Sequence, residues 1–192
     1  RAPVDRWQLL PLPHHGCGEP VRCDARHLAS GLPGVDHIVA FGSSGSLKKE
    51  IAPGTLLIPT DYISVTDIPS IHDHKIEHVR PELPRALARK LSAVVPGARL
   101  GGVYVQTRGP RIETVAEVAA LSKVADVVGM TVASEATLAC ELSMDFAALC
   151  TIDNYANGLG KDVLTFDHIL STSKAYSQRT EEIVNAIIAQ MR

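Results

Sequence analysis

Asp126-Val127-Val128-Gly129-Met130-Thr131-Val132-Ala133-Ser134-Glu135 changes periodicity part-way along its length. Asp126–Gly129 is a short β-branched run that reads as a strand, and helical spacing takes over across about 132–143. Met130 and Thr131 sit at the junction. Gly102-Val103-Tyr104-Val105-Gln106 repeats the event, leading to Gly109-Pro110-Arg111-Ile112-Glu113-Thr114 and a helical pattern over about 114–122. A third apolar run, Phe146–Cys150, is followed by Thr151-Ile152-Asp153-Asn154-Tyr155. Further strands are expected at Asp36–Phe41 and Thr55–Pro59, with helices at about 22–32, 83–95 and 165–190. Thr165 is placed to cap the last helix. Strands alternating with helices predict an α/β fold: one domain over 1–192, with a mixed, largely parallel sheet flanked by helices. Asp61–Pro84, polar and holding three His, reads as a long loop.

Ligands in open α/β sheets bind beyond strand ends, so the three polar stretches mark the place to look for chemistry. Bulk properties narrow the class. A 192-residue chain that is 45% hydrophobic can bury a substantial core. A net charge of −2 gives no reason to expect nucleic acid as a partner. No apolar run reaches the roughly 18 residues that a membrane span needs. Cys17, Cys23, Cys140 and Cys150 lack CxxC spacing and read as free thiols in a reducing cytoplasm. His72-Asp73-His74 with His78 fits no closed tetrahedral metal spacing, so no metal is expected.

Five co-linear pieces, His14-His15-Gly16, Gly42-Ser43-Ser44-Gly45-Ser46-Leu47, Gly109–Thr114, Gly129-Met130-Thr131 and Asp153-Asn154-Tyr155, carry a resemblance. Together they resemble the trimeric purine nucleoside phosphorylases and their relatives, the methylthioadenosine and methylthioinosine phosphorylases. The resemblance implies a nucleoside phosphorylase-like fold, a purine nucleoside substrate and a homotrimer. It also implies inorganic phosphate as co-substrate, with no organic cofactor.

Breaking an N-glycosidic bond requires the purine to leave as a stabilised anion while a nucleophile meets a cationic sugar carbon. Hydrogen bonds aimed at the developing charge are the largest available effect. By resemblance Glu113 holds the base. A carboxylate only accepts, which matches the N1–H of hypoxanthine or guanine and mismatches the bare N1 of adenine. Adenine-directed relatives carry a small hydroxyl residue there. The competing reading makes Glu113 an acid that stabilises the helix starting near Thr114. The resemblance likewise implies that Asn154 reaches N7 and O6, its carboxamide donating to N7 as negative charge grows there. Adenine-directed relatives have aspartates at this position and two residues on, where this chain has Asn154 and Ala156. Both departures point to 6-oxopurines. Ile112, next to Glu113, joins the substrate-binding set.

The resemblance puts Met130 under the ribose and Phe166 at the 5′ substituent, where an aromatic ring packs a methylthio group but cannot bond a hydroxyl. A one-residue shift in register would put Asp167 or His168 there instead. His78 corresponds to a residue that enters the neighbouring subunit's sugar pocket. Phosphate falls to His14, His15, Ser43 and Thr131: the Ser43 amide in a small-residue loop, and Thr131 at a helix start. His14 replaces the family's Arg and is a poorer, pH-sensitive anion contact. Nothing in Arg1–Pro13 matches the family's first strand and glycine-rich phosphate loop, and the non-Met start favours truncation over loss. Two alternatives stay open: a purine nucleosidase that uses water, and a purine-binding protein without catalysis.

Overall fold

The computed structural model describes residues 7–10 and 36–191, except 69, 73, 74 and 162; for 7–10, 166, 170 and 173 it describes the backbone alone. The strands are β1 (Trp7–Leu10), β2 (His37–Ser46), β3 (Leu56–Ile58), β4 (Asp61–Ser64), β5 (Arg99–Leu100), β6 (Val103–Gln106), β7 (Val127–Gly129) and β8 (Asp145–Tyr155). The helices are α1 (Arg85–Val94), α2 (Val115–Leu121), α3 (Val132–Glu141) and α4 (Phe166–Gln190). The strands form one sheet in the order β4-β6-β7-β2-β8-β3-β5, with β1 beside β2. Among the described residues only β2–β7 and β3–β8 pair antiparallel, so the sheet is mixed and largely parallel as expected.

The central strands are apolar on both faces, the pattern of a sheet covered twice. Ile38, Ala40, Phe146, Ala148 and Cys150 pack on one side with Val132, Ala136 and Ala139 of α3. Val39, Ala147 and Leu149 face the other way, against Leu87 and Leu91 of α1 and Ile187 of α4. A third cluster seats Val118 of α2 on Val105 and Val128. Leu91 is fully buried. Truncating a residue so placed to alanine costs about 2–5 kcal/mol.

The two long central strands run further than the sequence predicts. β2 continues through Gly42-Ser43-Ser44-Gly45 to Ser46, so this stretch is strand and not the expected loop. β8 likewise carries Asp153-Asn154-Tyr155 within it, not after it. Each strand's extension is the other's partner: they pair in parallel from His37↔Asp145 to Ser46↔Tyr155. The register slips once. Ser44 faces Ile152 and Gly45 faces Asn154, which leaves Asp153 as the extra residue of a bulge. Bulges re-aim side chains, here next to Asn154 near the end of β8. Three further described strands differ from the sequence expectation: β4 opens the segment read as a long loop, the two-residue β5 precedes the expected strand at Gly102, and β1 lies in the stretch where no family strand was matched. The helix expected at about 22–32, with Cys17 and Cys23, lies outside the described residues.

Candidate active site

β6 ends at Gln106, and Thr107 begins the segment leading to Glu113. The Thr107 N–H donates to the Gly129 carbonyl (2.9 Å), which joins this segment to the end of β7. Its hydroxyl donates to the Glu113 carboxylate. Glu113 is 7% exposed, buried for a charged residue. The competing role for Glu113 at the helix start belongs to another residue. Thr114 caps α2 and Glu117 closes the capping box, with Glu117 Oε2 accepting the Thr114 N–H at 2.7 Å. Arg111 grips the same Glu117 with both terminal guanidinium nitrogens, at 2.8 and 2.9 Å. The Arg111 bonds first, and the Thr114 amide second, hold the Glu117 carboxyl down at about 2. Ile112 and Glu113 lie between the two gripped residues, with Ile112 half-buried.

The loop after β8 closes on this segment. Asn157 Nδ2 donates to the Glu113 carbonyl at 3.0 Å. A Cβ added at Gly158, where φ is +80°, would meet the Val115 side chain at 2.9 Å, so glycine suits both the backbone and the close approach. Asn154 lies three residues before Asn157, and its Nδ2 donates to the Tyr155 carbonyl at 2.8 Å. That bond uses one of the amide's two hydrogens and fixes its plane, leaving a second N–H and the carbonyl oxygen for a ligand. Across the sheet, a Cβ at Gly45 would reach 3.2 Å from that same amide nitrogen.

Met130 and Thr131 connect β7 to α3 and are half-buried. The Met130 thioether lies over Gly109, where an added Cβ would come within 2.6 Å of Sδ. Thr131 holds the N-cap position of α3 without a capping bond from its side chain, so its hydroxyl is not spent on the helix. Its N–H points at Tyr104 Oη, 3.4 Å away. Tyr104 is fully buried, and burial pushes its phenol above the ordinary range. Gln106 and Ser134, both buried, exchange two bonds (2.6 and 2.9 Å) that lock β6 to the first turn of α3. In the sequence Tyr104 and Gln106 read as ordinary strand residues and Ser134 as an ordinary helix residue, and Thr107, just past the strand, carries no signal of its own.

Ser43 is exposed, and its hydroxyl donates to the buried carboxylate of Asp153, the bulge residue. Its side chain is therefore committed within the protein. On the edge away from β8, β1 pairs β2 up to Ala40 and β7 pairs it from Gly45. Among the described residues no strand covers Phe41–Ser44 on that edge. A Cβ at Gly42 would lie 3.1 Å from Val132 Cγ2, which puts this uncovered stretch against the start of α3 and beside Thr131.

One hydrogen bond joins Asn157 to Glu113, and the lack of a Cβ at Gly45, Gly42 and Gly109 lets Asn154, Val132 and Met130 come close to those backbones, so the segments carrying Glu113, Asn154, Met130, Thr131 and Ser43 lie side by side. His78 stands apart within one chain. It is exposed and lines a cleft of about 380 Å³ with Tyr62 of β4 and Thr137, Cys140 and Glu141 in the C-terminal half of α3. Phe166 opens α4 behind the Thr165 cap, which accepts the His168 N–H at 3.2 Å; its side chain lies outside the described residues. His14 and His15 also lie outside them.

The family model described as the phosphorylase superfamily matches residues 12–189. The chain is 37% identical over 165 residues to a probable 6-oxopurine nucleoside phosphorylase of Archaeoglobus fulgidus, covering 82% of this chain and 67% of that protein. It is equally 37% identical over 164 residues to a probable S-methyl-5′-thioinosine phosphorylase of Methanocaldococcus jannaschii, covering 81% and 65%. The chain therefore spans about two thirds of the length of these curated relatives. The fold matches that of a methylthioadenosine phosphorylase from Schistosoma mansoni in complex with adenine, at a TM-score of 0.78 and 18% identity, over 89% of this chain and 70% of that one. With the motif residues gathered at one end of such a sheet, and with the family model spanning nearly all of it, the chain belongs to the phosphorylase superfamily.

Proposed function

We propose that this chain carries the site of a purine nucleoside phosphorylase that splits 6-oxopurine nucleosides with phosphate, giving the free base and a sugar 1-phosphate. One observation carries this reading. A buried carboxylate, Glu113, is bonded by Thr107 and held through Asn157 to the same strand end that presents Asn154. An acceptor-only group and a carboxamide donor fit a base with N1–H and a leaving N7. Of the two 37% identical relatives, one is named for 6-oxopurine nucleosides and the other for S-methyl-5′-thioinosine.

In this reading Met130 and Ile112 pack the sugar and base, and Phe166 favours a 5′-methylthio group. Phosphate rests on His14, His15, the Ser43 amide and the Thr131 hydroxyl, beside the uncovered edge of β2. No metal or organic cofactor takes part. Three copies assemble so that His78 completes a neighbour's sugar pocket, and light scattering at micromolar concentration tests for the trimer. The proposed compartment is the cytoplasm; no helix among the described residues is long and apolar enough to cross a membrane.

The reaction itself is tested by incubating the protein with inosine and with 5′-methylthioinosine, with and without phosphate. The expected products are hypoxanthine and a sugar 1-phosphate, formed only with phosphate. Free sugar released without phosphate would make the protein a nucleosidase, and purine binding with no turnover would leave a binding protein.

A further inference from the structure

We infer that Thr107 is a positioning residue that sets base selectivity by fixing the Glu113 carboxylate; this rests on the reading of Glu113 as the acceptor for purine N1–H. Thr107 is held at two points. Its backbone N–H is anchored on the Gly129 carbonyl at 2.9 Å, at the foot of the Met130-Thr131 turn. Its hydroxyl donates to Glu113 Oε1. The residue therefore bridges the half of the site that holds sugar and phosphate and the half that holds the base.

The chemistry follows from what a carboxylate can do. Glu113 has two oxygens and no proton to give when ionised. With Oε1 accepting from Thr107, Oε2 is left to accept from a ligand, and rotation of the group about its terminal bond is restrained. Glu113 cannot turn away from the base without losing the bond to Thr107. Nor can it relax outward through its backbone, because Asn157 Nδ2 holds its carbonyl at 3.0 Å. A purine with N1–H meets a lone pair already aimed; adenine meets lone pair against lone pair. Preorganised acceptors discriminate more sharply than mobile ones, since a mobile group can swing aside to admit the wrong base.

The variants T107V, T107A and T107S separate this role from simple packing. T107V keeps the shape and removes the hydroxyl; T107A removes it without a second methyl, should valine perturb folding; T107S keeps the donor. Each is assayed for kcat/KM with inosine and adenosine at saturating phosphate, with circular dichroism to confirm the fold. Loss of one hydrogen bond to a charged group is expected to narrow the inosine-to-adenosine ratio about 10- to 100-fold in T107V and T107A. T107S is expected to keep the wild-type ratio. A ratio unchanged in folded T107V or T107A overturns the inference while leaving the role of Glu113 intact. A T107S variant as unselective as T107V also overturns it, since a packing defect would then explain both. Wild-type protein that turns over inosine and adenosine alike removes the reading of Glu113 and this inference with it.

Discussion

Asn157 donates from its side-chain amide to the backbone carbonyl of Glu113 at 3.0 Å, across 44 positions of sequence. This bond ties the loop after β8 to the segment after β6, so the carboxylate and Asn154 share one rigid frame. Both strand ends are buried in the core just before these residues, which keeps that frame in place.

Asn154→Ala is expected to lower kcat by about 10²–10³ while KM changes much less. Under the proposed function a hydrogen bond from Asn154 to N7 would strengthen as the purine becomes anionic, and removal of one such donor has this typical effect. Steady-state kinetics with inosine measures both constants. A variant altered only in KM would mean that Asn154 binds the ground state alone.

Ser43→Ala separates side chain from backbone. The Ser43 hydroxyl donates to Asp153 and is not free for phosphate. The substitution is expected to cost about 1.5–3 kcal/mol of stability, the range for a hydrogen bond to a charged group. The KM for phosphate is expected to stay within a few-fold of wild type (roughly threefold), because the peptide N–H remains. Chemical denaturation and phosphate titration test the two halves; a large rise in phosphate KM would put the hydroxyl, not the amide, on the anion.

Gly129→Ala is expected to destabilise the fold, because the new Cβ would sit 2.2 Å from Tyr104 Oη and 2.9 Å from Cζ. Overpacking of this kind costs about 1–3 kcal/mol. Adding Tyr104→Phe removes the nearest atom, so the double variant is expected to be less destabilised than the sum of the two single changes. Strict additivity in thermal melts would show that Gly129 is not packed against Tyr104.

Acid stability reports on the brace around Glu113. The Glu117 carboxyl is held at about 2, below the ordinary 4.5, first by Arg111 and then by the Thr114 amide. A depressed carboxyl contributes stability that is full above about 4.5 and is lost as pH falls toward 2. Glu117→Gln should therefore lower Tm at neutral pH and flatten its fall between pH 4.5 and 2. Parallel Tm–pH curves for the two proteins would contradict the assignment.

Much of this arrangement was legible in the sequence because local patterns agree with the fold. β-branched runs became β6 and β7, α3 began where the helical spacing began, and Thr165 caps α4. Gly42–Ser46 and Asp153–Tyr155 were misread as following their strands. Glycine, serine, aspartate and asparagine are poor strand formers, and only their pairing with each other, more than 100 positions apart, holds them extended. Thr114-Val115-Ala116-Glu117 has the spacing of a capping box, a local signal that frees Glu113 from that duty. Thr107 and Tyr104 carried no such signal. Their parts in the site arise from contacts with Glu113 and Thr131 that only the folded chain brings about.

Base selectivity, measured as kcat/KM for inosine against adenosine with phosphate present, tests the proposed function most directly. A buried site built to bond N1–H is expected to favour inosine by on the order of 10⁴, with Glu113→Ala removing most of that preference. Equal turnover of the two nucleosides, or a Glu113→Ala variant as selective and active as wild type, would contradict it.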